Sequence, residues 1–263
     1  MTIADLRNAF ARVSQESRKA LLPFLMSGHP TPEAFAANLE AAGEFADVIE
    51  VGVPFSDPLA DGPVIQEAGA QSLKNGTTLA ATLETLRARK PGPPVVLMLS
   101  FNQVLAGGIE QFADRAVAAK VSGAIIPDLP FDEQDELREM FAQCEMALIA
   151  MLSPTTSEAR MRQILTKAEG FAYLISVAGV TGTRDAFGEE TVEYIRRAKS
   201  ISPVPLCVGF GISKAQHIEQ LRKSADGFIV GSALIRGLGQ GSSVADILGP
   251  LRKACDGEVV SKH

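Results

Sequence analysis

The segment Asp47-Val48-Ile49-Glu50-Val51-Gly52 sets one carboxylate inside an apolar run, one residue short of the run's end. Burial disfavours the charged form of a carboxyl group and raises its pKa, which poises such a glutamate for proton transfer near neutral pH. Eleven residues on, Asp61 lies in the turn-rich stretch Pro54-Phe55-Ser56-Asp57-Pro58-Leu59-Ala60-Asp61-Gly62-Pro63, above the same strand. Two carboxylates at one strand end can divide acid and base work between them. Each also has a plainer reading. Glu50 could face outward and pair with a cation on a covering helix, and Asp57 and Asp61 could simply cap their own turns.

A second kind of chemistry is suggested by glycine. Gly209-Phe210-Gly211-Ile212-Ser213 and Gly231-Ser232 each follow an apolar run and lead toward a helical stretch, whose free N–H groups attract anions. Gly179-Val180-Thr181-Gly182 follows an earlier run, and the polar stretch from there through Gly188 has the composition of a mobile lid. A glycine after a strand is ordinarily a turn, but three such loops in succession point to a phosphate group.

The elements that must carry these residues alternate. Short strand-like runs cover Leu21 to Met26, Asp47 to Val51, Pro94 to Leu99, Gly123 to Ile126, Ala147 to Met151, Ala172 to Ile175, Pro205 to Val208 and Gly227 to Val230. Between them lie helical spacings such as Pro32 to Ala42, Ile109 to Ala119, Asp132 to Gln143, Ser157 to Ala168, Glu189 to Lys199 and Ser213 to Ser224. Continuous apolar strands are buried on both faces, as a parallel sheet covered by helices requires. Eight such units predict a single-domain α/β fold, a (β/α)8 TIM barrel spanning 1–263, with an extra N-terminal helix over Ala4 to Val13 against the barrel floor. An open doubly wound sheet would carry a phosphate-binding glycine fingerprint after its first strand, and Met26-Ser27-Gly28-His29-Pro30 is not one.

Composition narrows the function. The 263 residues, 46% hydrophobic, suffice for one large core, and a net charge of −6 without basic runs argues against nucleic acid. No apolar run is long enough to cross a bilayer, and the first residues lack a signal-peptide pattern, so the expectation is a cytoplasmic protein without membrane contact. Three cysteines and three histidines, scattered, predict neither a disulfide framework nor a metal site.

The segment from Pro54 to Pro63 resembles the signature of tryptophan synthase α subunits. Pro23-Phe24, Asp128-Leu129-Pro130, Gly179-Val180-Thr181-Gly182, Gly209-Phe210-Gly211-Ile212-Ser213 and Gly231-Ser232-Ala233 follow the family's order and spacing, so the likeness extends over nearly the whole chain. It implies a lyase of tryptophan biosynthesis that performs retro-aldol cleavage of indole-3-glycerol phosphate to indole and glyceraldehyde 3-phosphate. It implies that Glu50 transfers protons and that Asp61 accepts the indole N–H. By the same likeness, Gly182, Gly211, Gly231 and Ser232 contact phosphate, Tyr173 stands near the acidic pair, and Thr181 meets the catalytic Asp when the lid closes. Phe24, Met98, Leu129, Met151 and Phe210 would form the apolar slot for indole, or pack as ordinary barrel core.

The family also implies a partner, the β subunit, in an α2β2 heterotetramer. Pyridoxal phosphate (PLP) would belong to that subunit, with no cofactor in this chain, whose strand ends offer no Schiff-base lysine. His29, Ser100 and Val177 depart from the commoner family pattern, which bears on the pocket and on the partner surface. Other readings stand beside it: a stand-alone indole-releasing lyase without a partner, a binding barrel that keeps the phosphate site without the chemistry, and a phosphate-binding barrel synthase of another pathway, which the match from Pro54 to Pro63 makes remote.

Overall fold

The computed structural model describes residues 1–58, 61–176, 187–209 and 211–258. Its strands are β1 (Ala20–Met26), β2 (Ile49–Gly52), β3 (Val95–Met98), β4 (Val121–Ile125), β5 (Ala147–Leu148), β6 (Ala150–Leu152), β7 (Ala172–Ile175), β8 (Leu206–Gly209) and β9 (Gly227–Val230). Every pairing is parallel, in the order β5-β4-β3-β2-β1-β9-β8-β7-β6. The two ends of that order are consecutive in the chain. The run expected as one strand from Ala147 to Met151 is therefore broken at Ile149, whose N–H still donates to the Ala124 carbonyl at 2.9 Å. The fifth barrel strand pairs with β4 through one half and with β7 through the other, and the sheet closes into an eight-stranded TIM barrel.

Closure sorts the side chains by strand parity, because successive residues point to opposite faces. Leu22, Phe24, Val48, Val96, Ile125, Ile149, Tyr173, Cys207 and Ile229 form the barrel's inner core. Leu21, Leu25, Ile49, Val51, Leu97, Leu148, Leu174, Val208 and Val230 face the helices in a separate outer core. Several helices begin where the sequence supplies caps. Thr31 accepts from the Ala34 N–H ahead of α2 (Pro32–Ala42), which has proline in its first turn, and Ser157 accepts from Arg160 N ahead of α8 (Glu158–Thr166).

The expected N-terminal helix runs from Ile3 to Gln15 as α1 and closes the floor of the barrel. Its buried Leu6, Ala9, Phe10 and Val13 join the inner core, and the Phe10 ring lies 5.6 Å from that of Phe171. Also at the floor, buried Asp47 accepts from Arg18 at 2.7 and 2.8 Å, from Arg252 at 2.8 Å and from the Leu21 N–H at 3.0 Å. This joins the start of β1, the approach to β2 and α12 (Val244–Asp256). Two further helices, α3 (Pro63–Lys74) and α4 (Leu79–Ala88), fill the long connection from β2 to β3.

Candidate active site

Glu50 is 1% exposed, on β2 between Phe24 of β1 and Val96 of β3. Its parity sends the side chain into the barrel, where it lines a cavity of about 250 Å³ with Phe24, Met98, Tyr173 and Ile229. An outward pair with a helix cation is thereby excluded. Neither carboxyl oxygen has a hydrogen-bond partner. Burial, with Asp61 nearby, pushes its pKa up to about 8, so at neutral pH the group is largely protonated.

Asp61 enters the same cavity from above. It precedes Gly62, the N-cap of α3, and Gln66 of that helix donates to the Asp61 and Pro58 carbonyls at 3.0 and 3.4 Å. Partial burial raises its pKa. Its side chain also lines a smaller adjoining pocket of about 50 Å³, shared with Phe24 and Met98. Asp57, by contrast, accepts from its neighbour Ser56 at 2.7 Å, a local turn contact.

Room for this cavity comes from two strand-end glycines. A Cβ at Gly52 would stand 2.5 Å from the Phe24 ring, and one at Gly209 would stand 2.2 Å from the Tyr173 hydroxyl oxygen. Only a residue without a side chain lets those rings lie across the neighbouring strand ends. Burial, together with Glu50 and Asp61, holds the Tyr173 phenol protonated, its pKa well above the ordinary value.

The far wall consists of Gly211, Ile212, Gly231, Ser232 and Arg236. Gly211 has φ +83°, a conformation that a side chain would strain. Of the two expected helix starts, only one meets the cavity as a full helix: α11 (Ser232–Gly239) begins at its wall. The helix after β8, α10 (Ala215–Leu221), is shorter than the expected Ser213 to Ser224 and starts beyond the glycine loop.

The structure thus brings together Glu50, Asp61, Phe24, Tyr173, Gly211, Gly231 and Ser232 around one cavity, with Met98. Leu129 and Met151 instead line a separate groove with Phe131 and Arg160. Thr181, Gly182 and Phe210 lie outside the described residues, as does Val177. His29 packs toward Gly239 of α11, and Ser100 donates to Asp128 at 2.6 Å. Arg236 was not anticipated, although its place four residues after Ser232 on a helix was a usable signal. Among the described residues, no group of His, Cys, Asp or Glu is arranged to hold a metal ion, and no helix is long and apolar enough to cross a membrane.

The family model described as tryptophan synthase alpha chain matches residues 10–250. The chain belongs to the tryptophan synthase alpha chain family. It is 43% identical over 253 residues to the alpha chain of Nitratidesulfovibrio vulgaris (strain DP4), covering 94% of this chain and 98% of that one. The alpha chain of Methanocaldococcus jannaschii is 40% identical, over 89% of this chain and 84% of its own. Among solved structures, Mycobacterium tuberculosis tryptophan synthase in space group F222 superposes with a TM-score of 0.88 at 32% identity, over 95% of this chain and 98% of that chain. Tryptophan synthase subunit alpha from Legionella pneumophila str. Paris gives 0.87 at 31%, over 98% and 99%. Alpha chains of this family are lyases of tryptophan biosynthesis that cleave indole-3-glycerol phosphate. They partner a beta subunit, and it is that subunit that carries PLP.

Proposed function

We propose that Glu50 and Asp61 carry out this cleavage, with Phe24 and Tyr173 holding the indole ring and Gly211, Gly231 and Ser232 receiving the phosphate. The observation that carries the assignment is Glu50 itself, a fully buried carboxyl with both oxygens unpartnered at the bottom of the cavity. A group so placed costs stability that the rest of the fold must offset, and such groups cluster at functional sites.

The electron flow is balanced by these two residues. Neutral Glu50 gives its proton to indole C3, leaving positive charge on the ring that ionised Asp61 stabilises at the N–H. The bond from C3 to the glycerol carbon then breaks, its electron pair returning to the ring. The adjacent hydroxyl becomes the aldehyde and gives its proton to the Glu50 carboxylate, which restores the acid. One carboxyl serves in turn as acid and base, and a pKa of about 8 keeps the starting form populated.

The chain is proposed to act within an α2β2 assembly in the cytoplasm, where a doubly charged phosphomonoester is retained. Light scattering of the mixed subunits measures the stoichiometry, and cell fractionation the location.

The deciding experiment mixes the chain with indole-3-glycerol phosphate, with and without a PLP-containing beta subunit, and follows indole. The chain contains no Trp, so indole fluorescence stands clear of the protein. Glu50→Gln and Asp61→Asn should each lose more than roughly a hundredfold, as acid/base residues do. A wild-type chain that is inert in both conditions yet binds glycerol 3-phosphate would instead be a binding barrel.

A further inference from the structure

Among the described residues lining the cavity, Arg236 is the one cationic side chain, and it makes no hydrogen bond or ion pair with its surroundings. It stands one helical turn after Ser232, on the same face of α11. The first intrahelical bond of α11 runs from the Ile235 N–H to the Gly231 carbonyl at 3.0 Å, so the N–H groups before it are the helix's free donors. Gly231 provides no side-chain cap to occupy them. At the other end of the same cavity stand two carboxyls, Glu50 and Asp61, in a protein of net charge −6.

This distribution poses a physical problem for a phosphorylated ligand. A dianion entering the cavity meets acidic groups at the reacting end and an acidic protein overall. The partial charge of one helix terminus amounts to only about half an elementary charge. A full positive charge at the end away from the carboxyls adds to that partial charge and strengthens the hold on a dianion.

We propose that Arg236 is a phosphate-binding residue of this site, closing a charge-assisted contact over the N-terminus of α11 and selecting the phosphorylated substrate over neutral indole compounds. The inference rests on the reading of the cavity as the indole-3-glycerol phosphate site. The contact forms with the ground-state phosphate, which does not change charge during cleavage. Its contribution therefore falls on binding, not on the chemical step.

The test combines kinetics and binding for wild type, Arg236→Gln and Arg236→Lys. Arg236→Gln should raise KM for indole-3-glycerol phosphate about tenfold or more, the loss expected for one charge-assisted hydrogen bond, with a far smaller change in kcat. Its KM should also depend less on salt than that of wild type. Arg236→Lys keeps the charge without the planar fork and should recover most of the loss. Glycerol 3-phosphate, titrated by calorimetry, should bind Arg236→Gln about tenfold or more weakly, while indole binds both proteins alike.

Equal KM values and equal glycerol 3-phosphate affinities would overturn the proposal, as would wild type that fails to bind glycerol 3-phosphate. A wild-type chain that releases no indole sinks the proposed function instead. The glycerol 3-phosphate comparison then still decides on Arg236. The residue is exposed, so matching thermal melts would show that the variants are folded.

Discussion

Two carboxyls three residues apart, Asp47 and Glu50, are both removed from water, yet they live in opposite surroundings. Asp47, 3% exposed at the floor, accepts hydrogen bonds from two arginines and a backbone N–H, with a third arginine, Arg12, 3.8 Å away. Glu50, 1% exposed toward the rim, has no hydrogen-bond partner for either oxygen. Arg18 and Arg252 compensate the first group's charge and tie the start of β1 and α12 together through it. The second group is left uncompensated, so its acidity is shifted to where proton transfer is useful. The contrast separates a buried acid that holds the barrel from one the barrel must hold, and stability and activity should respond to them in opposite ways.

The largest effect should come from exchanging each of the two carboxyls for its amide. Glu50→Gln is expected to lose more than roughly a hundredfold in kcat while unfolding at higher urea than wild type at pH 7 to 8. Asp47→Asn should do the reverse, losing about 3–5 kcal/mol of stability because it breaks a buried pair, with near-normal turnover by the protein that remains folded. If both variants lost stability and kept activity, the distinction between floor and rim would collapse.

A smaller effect is expected in pH dependence. The ordinary glutamate value is 4.5 and the folded value about 8, so between these limits the folded chain holds a proton that the unfolded chain has released. The contribution of Glu50 to stability is therefore complete below 4.5, declines as pH rises, and levels off above about 8. The slope is up to about 1.4 kcal/mol per pH unit. Urea titrations across this window should show that decline in wild type, and it should be absent in Glu50→Gln. In the same window kcat/KM should fall with a basic limb near 8, because the acid form begins the reaction.

Weaker again is the substitution Gly209→Ala. It drives a methyl into the Tyr173 ring and should cost about 1–3 kcal/mol and raise KM, whereas the open Gly62 should accept alanine without steric penalty. The smallest expected change is in Ser100→Ala. Asp128 keeps its bond from the Phe101 N–H at 2.9 Å, so the loss of one bond from Ser100 should cost about 1 kcal/mol and leave indole release almost unaltered.

Periodicity carried much of the fold. The eight runs with helices between them map onto the barrel strands, and an apolar stretch buried on both faces reads the same way in isolation as in the sheet. The interruption at Ile149 was not legible, because no residue there breaks a strand; it arises where the sheet closes and pairing passes from β4 to β7. In the candidate site, Glu50 stood out as a charge in an apolar strand, and Gly231-Ser232 as a glycine before a helix. Leu129 and Met151 could not be told from true cavity residues. Apolar type does not say whether a strand-end side chain leans toward the barrel axis or into a neighbouring groove.

Taken alone, the order of residues determined which positions are apolar, where helices start, and which acids and glycines stand at strand ends, since these are local properties of composition and spacing. The tertiary structure decided what no local property contains. It turned Glu50 into the barrel and left it unpartnered, gave Asp47 its two arginines from distant helical and terminal segments, and set Arg236 at the far wall of the same cavity. The physical reason is that burial, pairing and charge proximity depend on which surfaces meet when the sheet closes.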